Sequence, residues 1–130
     1  MSTALRRVIL VLVAGLTLSS CGKPKELAYS KLGYNDGVLT DPETSRPFTG
    51  IARDVYKDGK PKAEYPIKDG KFHGLVREWH PNGKLSSETE FTDGEHNGTN
   101  KEWTADGLPY IERVYDHEHI VREKTFEQKK

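Results

Sequence analysis

Two groups of side chains in this chain have the types and spacing that chemistry asks for. His117-Glu118-His119, with Asp116 before it, sets two imidazoles at positions i and i+2. In an extended segment they point to the same side and suit Zn²⁺ or Cu²⁺. Two imidazoles fall short of the three or four protein ligands of a structural or catalytic zinc site, so the segment reads as a solvated turn and no metal site is assigned. Glu64, Glu88 and Glu112 recur at intervals of 24 residues, with Glu78 and Glu102 on the strands before them. A carboxylate pair works as acid and base when two different environments separate the pKa values, whereas residues at one register of a repeat have similar surroundings. Cross-strand pairing with Arg53, Arg77 and Lys101 suits these glutamates better, at about 0.2–1 kcal/mol per favourable pair. His73 and His96, beside Gly74 and Gly98, read as polar turn residues. The sequence contains no Gly-x-Ser-x-Gly elbow, no His-Glu-x-x-His and no phosphate-binding glycine loop. No catalytic residue and no cofactor is therefore assigned, and a non-enzymatic role is expected.

Aromatic side chains offer a different kind of chemistry. Trp79 and Trp103 share a spacing of 24 with Val55, and Tyr65, Phe91 and Tyr115 lie on the strands that follow. Such a stripe is first a candidate core. A single sheet has two faces, however, and few apolar residues are available to cover both. Trp79, Trp103, Tyr65, Phe91 and Tyr115 are accordingly expected to leave some aromatic surface open as anchors for a protein partner.

The elements that must position these residues are written in the glycines. Gly50, Gly74 and Gly98 are 24 apart, as are Gly59, Gly83 and Gly107, and Gly70 and Gly94 share the interval. Val55, Trp79 and Trp103 keep the register, as do Phe48, Phe72, His96 and Ile120, and Ile67, Phe91 and Tyr115. Within a unit, Leu75, Arg77 and Trp79 alternate with Val76, Glu78 and His80, the period of a strand. Pro81-Asn82-Gly83 turns the chain, Leu85 to Phe91 alternates on the way back, and Asp93-Gly94 turns it again. Each 24-residue unit thus predicts two strands and two turns, and three units predict an all-β antiparallel meander of about six strands in a single twisted sheet. The units run about 46–70, 71–94 and 95–118, with a degenerate closing strand over 119–127. There Arg122 replaces a glycine, and Arg122, Glu123 and Lys124 discourage another sheet from adding. Val38-Leu39-Thr40 is a candidate for the same part at the other end.

The spacing Gly-x4-aromatic or aliphatic-x3-Gly, seen at Gly50–Gly59, Gly74–Gly83 and Gly98–Gly107, resembles the bacterial variant of the MORN repeat. With Arg46-Pro47-Phe48-Thr49-Gly50 and Asp69-Gly70-Lys71-Phe72-His73-Gly74, it is similar more narrowly to small proteins of the YwqK antitoxin family. The likeness covers about residues 38–126, and departs at Glu118 and Arg122, where glycines would stand. The resemblance implies membrane association, protein interaction or scaffolding, and the narrower one implies binding to a toxin.

Composition completes the reading. Twenty Lys+Arg balance twenty Asp+Glu in 130 residues, which removes the electrostatic footprint of a nucleic-acid binder. One cysteine, Cys21, excludes a disulfide framework. Met1 to Arg7 is a short basic start, Val8 to Leu16 an apolar run of nine, and Leu18-Ser19-Ser20-Cys21 follows. The run is too short for a spanning helix and matches an export signal. The last four residues resemble a bacterial lipobox, which implies diacylglyceryl and N-acyl modification of Cys21. Residues 1–20 are therefore expected to be a lipoprotein signal peptide, 21–37 the lipidated cysteine and a solvated tether, and 38–130 the repeat domain. The expected partners are a membrane, through the lipid on Cys21, and a protein, with no nucleic acid. The expected location is the cell envelope, and in a Gram-negative host the periplasmic face of the outer membrane. A membrane-anchored binding or scaffold module is the first functional expectation. An antitoxin or immunity-like protein, and a small envelope metal-binding protein, are the alternatives.

Overall fold

The computed structural model describes residues 22–128. The expected signal peptide 1–20 and the lipidation site Cys21 lie outside the described residues. The strands are β1 (Glu26–Ala28), β2 (Gly33–Asn35), β3 (Val38–Thr40), β4 (Gly50–Val55), β5 (Pro61–Lys68), β6 (Lys71–Phe72), β7 (Gly74–Trp79), β8 (Leu85–Thr92), β9 (Glu95–Trp103), β10 (Pro109–Asp116) and β11 (His119–Thr125), with one 3-10 turn at Tyr29–Lys31. The fold is all-β. The main sheet runs β1-β4-β5-β7-β8-β9-β10-β11, with β6 also paired to β5, and β2–β3 form a separate ribbon. From β4 to β11 every pairing is antiparallel and, apart from β5 with β7 past the two-residue β6, sequential, the expected meander.

Two turn chemistries alternate along it. Asp69-Gly70, Asp93-Gly94 and the Asp36-Gly37 turn of the β2–β3 ribbon have positive φ at both residues, as a two-residue I′ hairpin turn requires. At the other margin only Gly59, Gly83 and Gly107 are positive, at φ 84 to 87. There the N–H of Gly83 donates to the His80 carbonyl at 2.8 Å, and that of His80 donates to Lys84 at 2.8 Å. Such a three-residue loop is a turn closed by a left-handed glycine, so Asp58, Asn82 and Asp106 do not need positive φ. The Asn82 side-chain oxygen instead accepts from the Lys84 N–H at 3.0 Å.

The first end of the sheet departs from expectation. The tether assigned to 21–37 holds β1, the 3-10 turn and β2. β1 pairs parallel with β4, Leu27 opposite Ala52. Val38-Leu39-Thr40 does not close the main sheet; it pairs with β2 and is bridged to Pro47. The physical reason is burial. Phe48, Ala52 and Ile67 form the buried cluster, and Leu27, Tyr29, Leu32, Leu39, Tyr65 and Phe72 pack against it. Without 27–39 this cluster would face water on one side of β4 and β5.

Register fixes the two faces. Ala52, Ala63, Tyr65, Ile67, Val76, Thr89, Phe91, Asn100, Ile111, Arg113 and Tyr115 share one, by direct pairing and by the period of two. The N-terminal segment covers only the first part of this face. Farther along, polar side chains are buried beside the apolar Val76 and Ile111. The Asn100 amide donates to Thr89 Oγ1 at 2.9 Å, and the Arg113 guanidinium donates to Asn100 Oδ1 at 3.3 Å, Glu102 at 2.7 Å and Glu123 at 2.8 Å. These carboxylates, Glu123 foremost, raise the Arg113 pKa still further above its ordinary value. Arg53, Glu64, Arg77, Glu88, Lys101 and Glu112 line the opposite face.

Candidate functional site

The five aromatic residues expected to form one stripe are split between two rows at opposite margins of the sheet. Phe91 stands opposite Gly74, whereas Trp79 stands opposite Leu85. Five residue steps along β7, Gly74 to Trp79, separate the two positions, about 17 Å at the rise of a strand. By the period of two Trp79 follows Arg77 whereas Phe91 follows Val76, and the register shifts between Glu78 and Trp79.

The first row is a column of rings across the strands. Ring centroids lie 4.7 Å apart for Tyr29–Tyr65, 5.3 Å for Tyr65–Phe72, 5.5 Å for Phe72–Phe91, 4.5 Å for Phe91–His96 and 5.0 Å for His96–Tyr115. Tyr65–Phe72 and His96–Tyr115 are stacked, Phe72–Phe91 meets edge to face, and the other pairs are tilted. Gly74 and Gly98, opposite Phe91 and Tyr115, carry no side chain to compete for that space. Burial, reinforced by the charges of Glu78 and Asp54, pushes the Tyr65 phenol up to about 12.

The second row ties successive units together. The Tyr56 hydroxyl donates to the Trp79 carbonyl at 2.6 Å, and His80 Nε2, a unit later, lies 2.9 Å from the Trp103 carbonyl. A carbonyl only accepts, so Nε2 carries the proton there. Trp79 lines a depression with Val55, Pro61 and Ala63, and Trp103 lines one with Pro109, Ile111 and Phe126. Both indoles are half-buried.

The glutamate ladder forms in its first half. Arg53 meets Glu26 and Glu64 at 3.2 Å each, and Arg77 meets Glu64 at 3.8 Å and Glu88 at 3.1 Å. Lys101 stands directly opposite both Glu88 and Glu112 but closes no ion pair with either. Glu78 and Glu102 fall on the other face, so the five carboxylates do not converge.

The histidines are used one by one. His73 Nδ1 lies 3.2 Å from Asp93, His96 Nδ1 2.9 Å from Glu118, and His117 Nδ1 2.7 Å from Asp116. Asp116 raises the His117 pKa, and His96 lowers that of Glu118. Among the described residues no three His, Cys, Asp or Glu side chains are placed to hold one metal ion. His117 and His119 thus lack the further ligand that the metal alternative needs.

Sequence reasoning missed the exposed apolar residues of the last hairpin. Leu108 and Tyr110 are each 51% exposed, Ile120 52% and Val121 61%. A comparison of units would have found them. Leu108 stands where the earlier units have Lys60 and Lys84, Tyr110 where they have Lys62 and Ser86, and Val121 where they have His73 and Asn97. Apolar residues at solvent positions that are polar elsewhere in the same repeat have no folding reason in the repeat itself.

Residues 72–93 match the family described as the MORN repeat variant. The match begins at Phe72 on β6 and ends at Asp93 in the I′ turn, nearly one 24-residue unit. No curated protein and no solved structure matches the chain. The repeat supports a binding or scaffold module.

Proposed function

We propose that this chain is a lipid-anchored, non-enzymatic module that binds a protein of the cell envelope and holds it near the membrane. The observation that carries the reading is the exposure of Leu108, Tyr110, Ile120 and Val121 on the last hairpin, at register positions that are mostly polar in the earlier units. Exposed aromatic and aliphatic side chains on a rigid hydrogen-bonded sheet can bury area against a partner with little loss of their own freedom. Anchoring is carried by the basic start, the apolar run and Cys21, and two or more acyl chains would make it stable. In a Gram-negative host the location that follows is the periplasmic face of the outer membrane.

In-cell crosslinking of the full chain, followed by affinity capture, tests this reading. Leu108→Lys with Tyr110→Ser returns the third unit to the residues of the second and should remove the captured partner from a folded protein. Undiminished capture by that variant clears the last hairpin of the role. A Trp79→Ala/Trp103→Ala arm asks whether the tryptophan row also contributes. Because both indoles pack within the sheet, that arm is read only beside a stability measurement.

The likeness of Arg46–Gly50 and Asp69–Gly74 to the YwqK antitoxin family supports a second reading, neutralisation of a toxic partner. Under it, deletion of the gene should harm cells only when a neighbouring toxin gene is intact. Healthy deletion strains that retain that gene would count against it.

A further inference from the structure

We infer that in the lipid-anchored protein the first edge of the sheet, formed by β1 and the loop Asp41–Arg46, faces the bilayer, and that the last hairpin is held away from it. This rests on the proposal that Cys21 carries the lipid. The ground for it is how soon after Cys21 the chain is gripped. The Lys25 carbonyl accepts from the Ile51 N–H at 2.9 Å. The Lys25 ammonium donates to Asp41 Oδ2 at 2.6 Å and to Glu43 Oε2 at 3.3 Å. Asp41 is 8% exposed, and its second oxygen accepts from the Glu43 N–H at 2.9 Å. Gly50 lies so close beneath the Lys25 carbonyl that any Cβ there would overlap it. Lys25 is thus held by backbone and side chain together, and β1 begins at the next residue.

Only Gly22, Lys23 and Pro24 separate Cys21 from Lys25. Four residue steps at full stretch reach about 14 Å. The main sheet is seven strand intervals wide from β1 to β11, about 34 Å at roughly 4.8 Å per interval. A leash less than half the width of the sheet, fixed at one edge, keeps that edge near the headgroups. The arginines that line the two faces are paired. On one face Arg53 and Arg77 are paired with Glu64 and Glu88, and on the other Arg113 is paired with Glu102 and Glu123. At the first edge Lys25 is paired with Asp41 and Glu43, and Arg53 with Glu26. The leash sets the orientation. Its consequence is that Leu108, Tyr110 and Val121 are presented away from the bilayer.

The test uses the full acylated chain in phosphatidylethanolamine/phosphatidylglycerol vesicles that contain a headgroup nitroxide quencher. A fluorophore is placed on Thr44→Cys or on Val121→Cys. Quenching should be several-fold stronger at position 44, at low and at high salt. Twelve Gly/Ser residues inserted after Lys23 add a span of about 19 Å and should largely erase the difference. Equal quenching at the two positions in acylated protein, or a difference unmoved by the insertion, overturns the edge-on geometry while leaving the anchor intact. Absence of acyl mass on the Cys21 peptide overturns the anchor, and the orientation falls with it.

Discussion

Gly70 and Gly83 carry the same left-handed backbone for different reasons, and substitution separates them. Gly83, at φ 84, has open space where a Cβ would point, and Gly70, at φ 78, does not. A Cβ on Gly70 would run into the Val38 side chain and lie 2.7 Å from the Leu39 carbonyl oxygen. The neighbouring backbone cannot retreat freely, because the Leu39 N–H donates to the Gly70 carbonyl and the Gly70 N–H donates to Phe48, each at 2.8 Å. Gly83→Ala should therefore cost about 1–2 kcal/mol, the left-handed penalty alone. Gly70→Ala should cost clearly more, since it also pushes β3 off the core. Urea denaturation of the two variants measures the difference, and equal midpoints would mean that the β3 contact contributes little. The sequence showed both glycines in register but could not tell them apart, because Val38 and Leu39 lie outside the repeat and meet Gly70 only through the fold.

The last turn shows how an element keeps its shape after losing its glycine. His117 and Glu118 have φ 43 and 66 where Asp93 and Gly94 have 51 and 89, so the I′ form survives without glycine. The Glu118 N–H donates to the His96 carbonyl at 2.9 Å, as the Gly94 N–H donates to Phe72 at 2.8 Å. The added support is the Glu118 carboxylate, which accepts from the His96 N–H and lies 2.9 Å from His96 Nδ1. Its pKa is lowered from 4.5 by His96, first through the side-chain bond. A lowered carboxylate contributes stability above its unfolded value and loses it as pH falls through the folded one. The His117 pKa is raised from 6.5 by Asp116, so that contribution is present below 6.5 and is lost as pH rises through the folded value. Hydrogen-exchange protection of the β10–β11 amides should thus fall as pH drops below about 4.5, and Glu118→Gln should flatten that acid limb. A limb unchanged in the variant would assign it to other carboxylates. The departure from glycine at 118 was legible in the sequence, and so were strands, turns and period. What the sequence did not show was the compensation, since His96 and Glu118 meet only after β9 and β10 pair. The same limit hid the separation of the two aromatic rows, because the face and end of β7 that Phe91 joins are set only by the β7–β8 register, Phe91 opposite Gly74.

At the scale of the whole molecule, this sheet has its apolar core at one end and a polar network for the rest of its width. Phe48, Ala52 and Ile67 are covered by Leu27, Tyr29, Leu32 and Leu39. Beyond Val76 the same face buries Thr89, Asn100 and Ile111 and half-buries Arg113. The mean hydropathy of −0.77 over the full chain is compatible with folding because the apolar cluster is concentrated at one end, where the N-terminal segment covers it. Apart from Leu39, that cover lies in the segment 21–37 expected to be a tether. Leu27, Tyr29 and Leu32 have neither the 24-residue register nor a strand period, and the parallel pairing of β1 with β4 spans 25 residues of chain, Glu26 to Ile51. A local pattern cannot announce so distant a contact. The two boundaries make different predictions for truncation. A domain starting at residue 38 keeps all three repeat units, yet it would lose β1, the Tyr29 ring against Tyr65 and the packing of Leu27 and Leu32. At about 1–2 kcal/mol for each partly buried apolar side chain, that is roughly 3–6 kcal/mol, comparable to the whole stability of a small domain. A protein spanning 22–130 should unfold cooperatively in urea, and one spanning 38–130 should show a much lower midpoint or no folded baseline. Tyr29→Ala in the longer protein should fall between them, because it removes the end ring of the column while leaving β1 paired. Equal midpoints for the two proteins would return 22–37 to the role of a tether, and the short leash between membrane and sheet would lengthen accordingly.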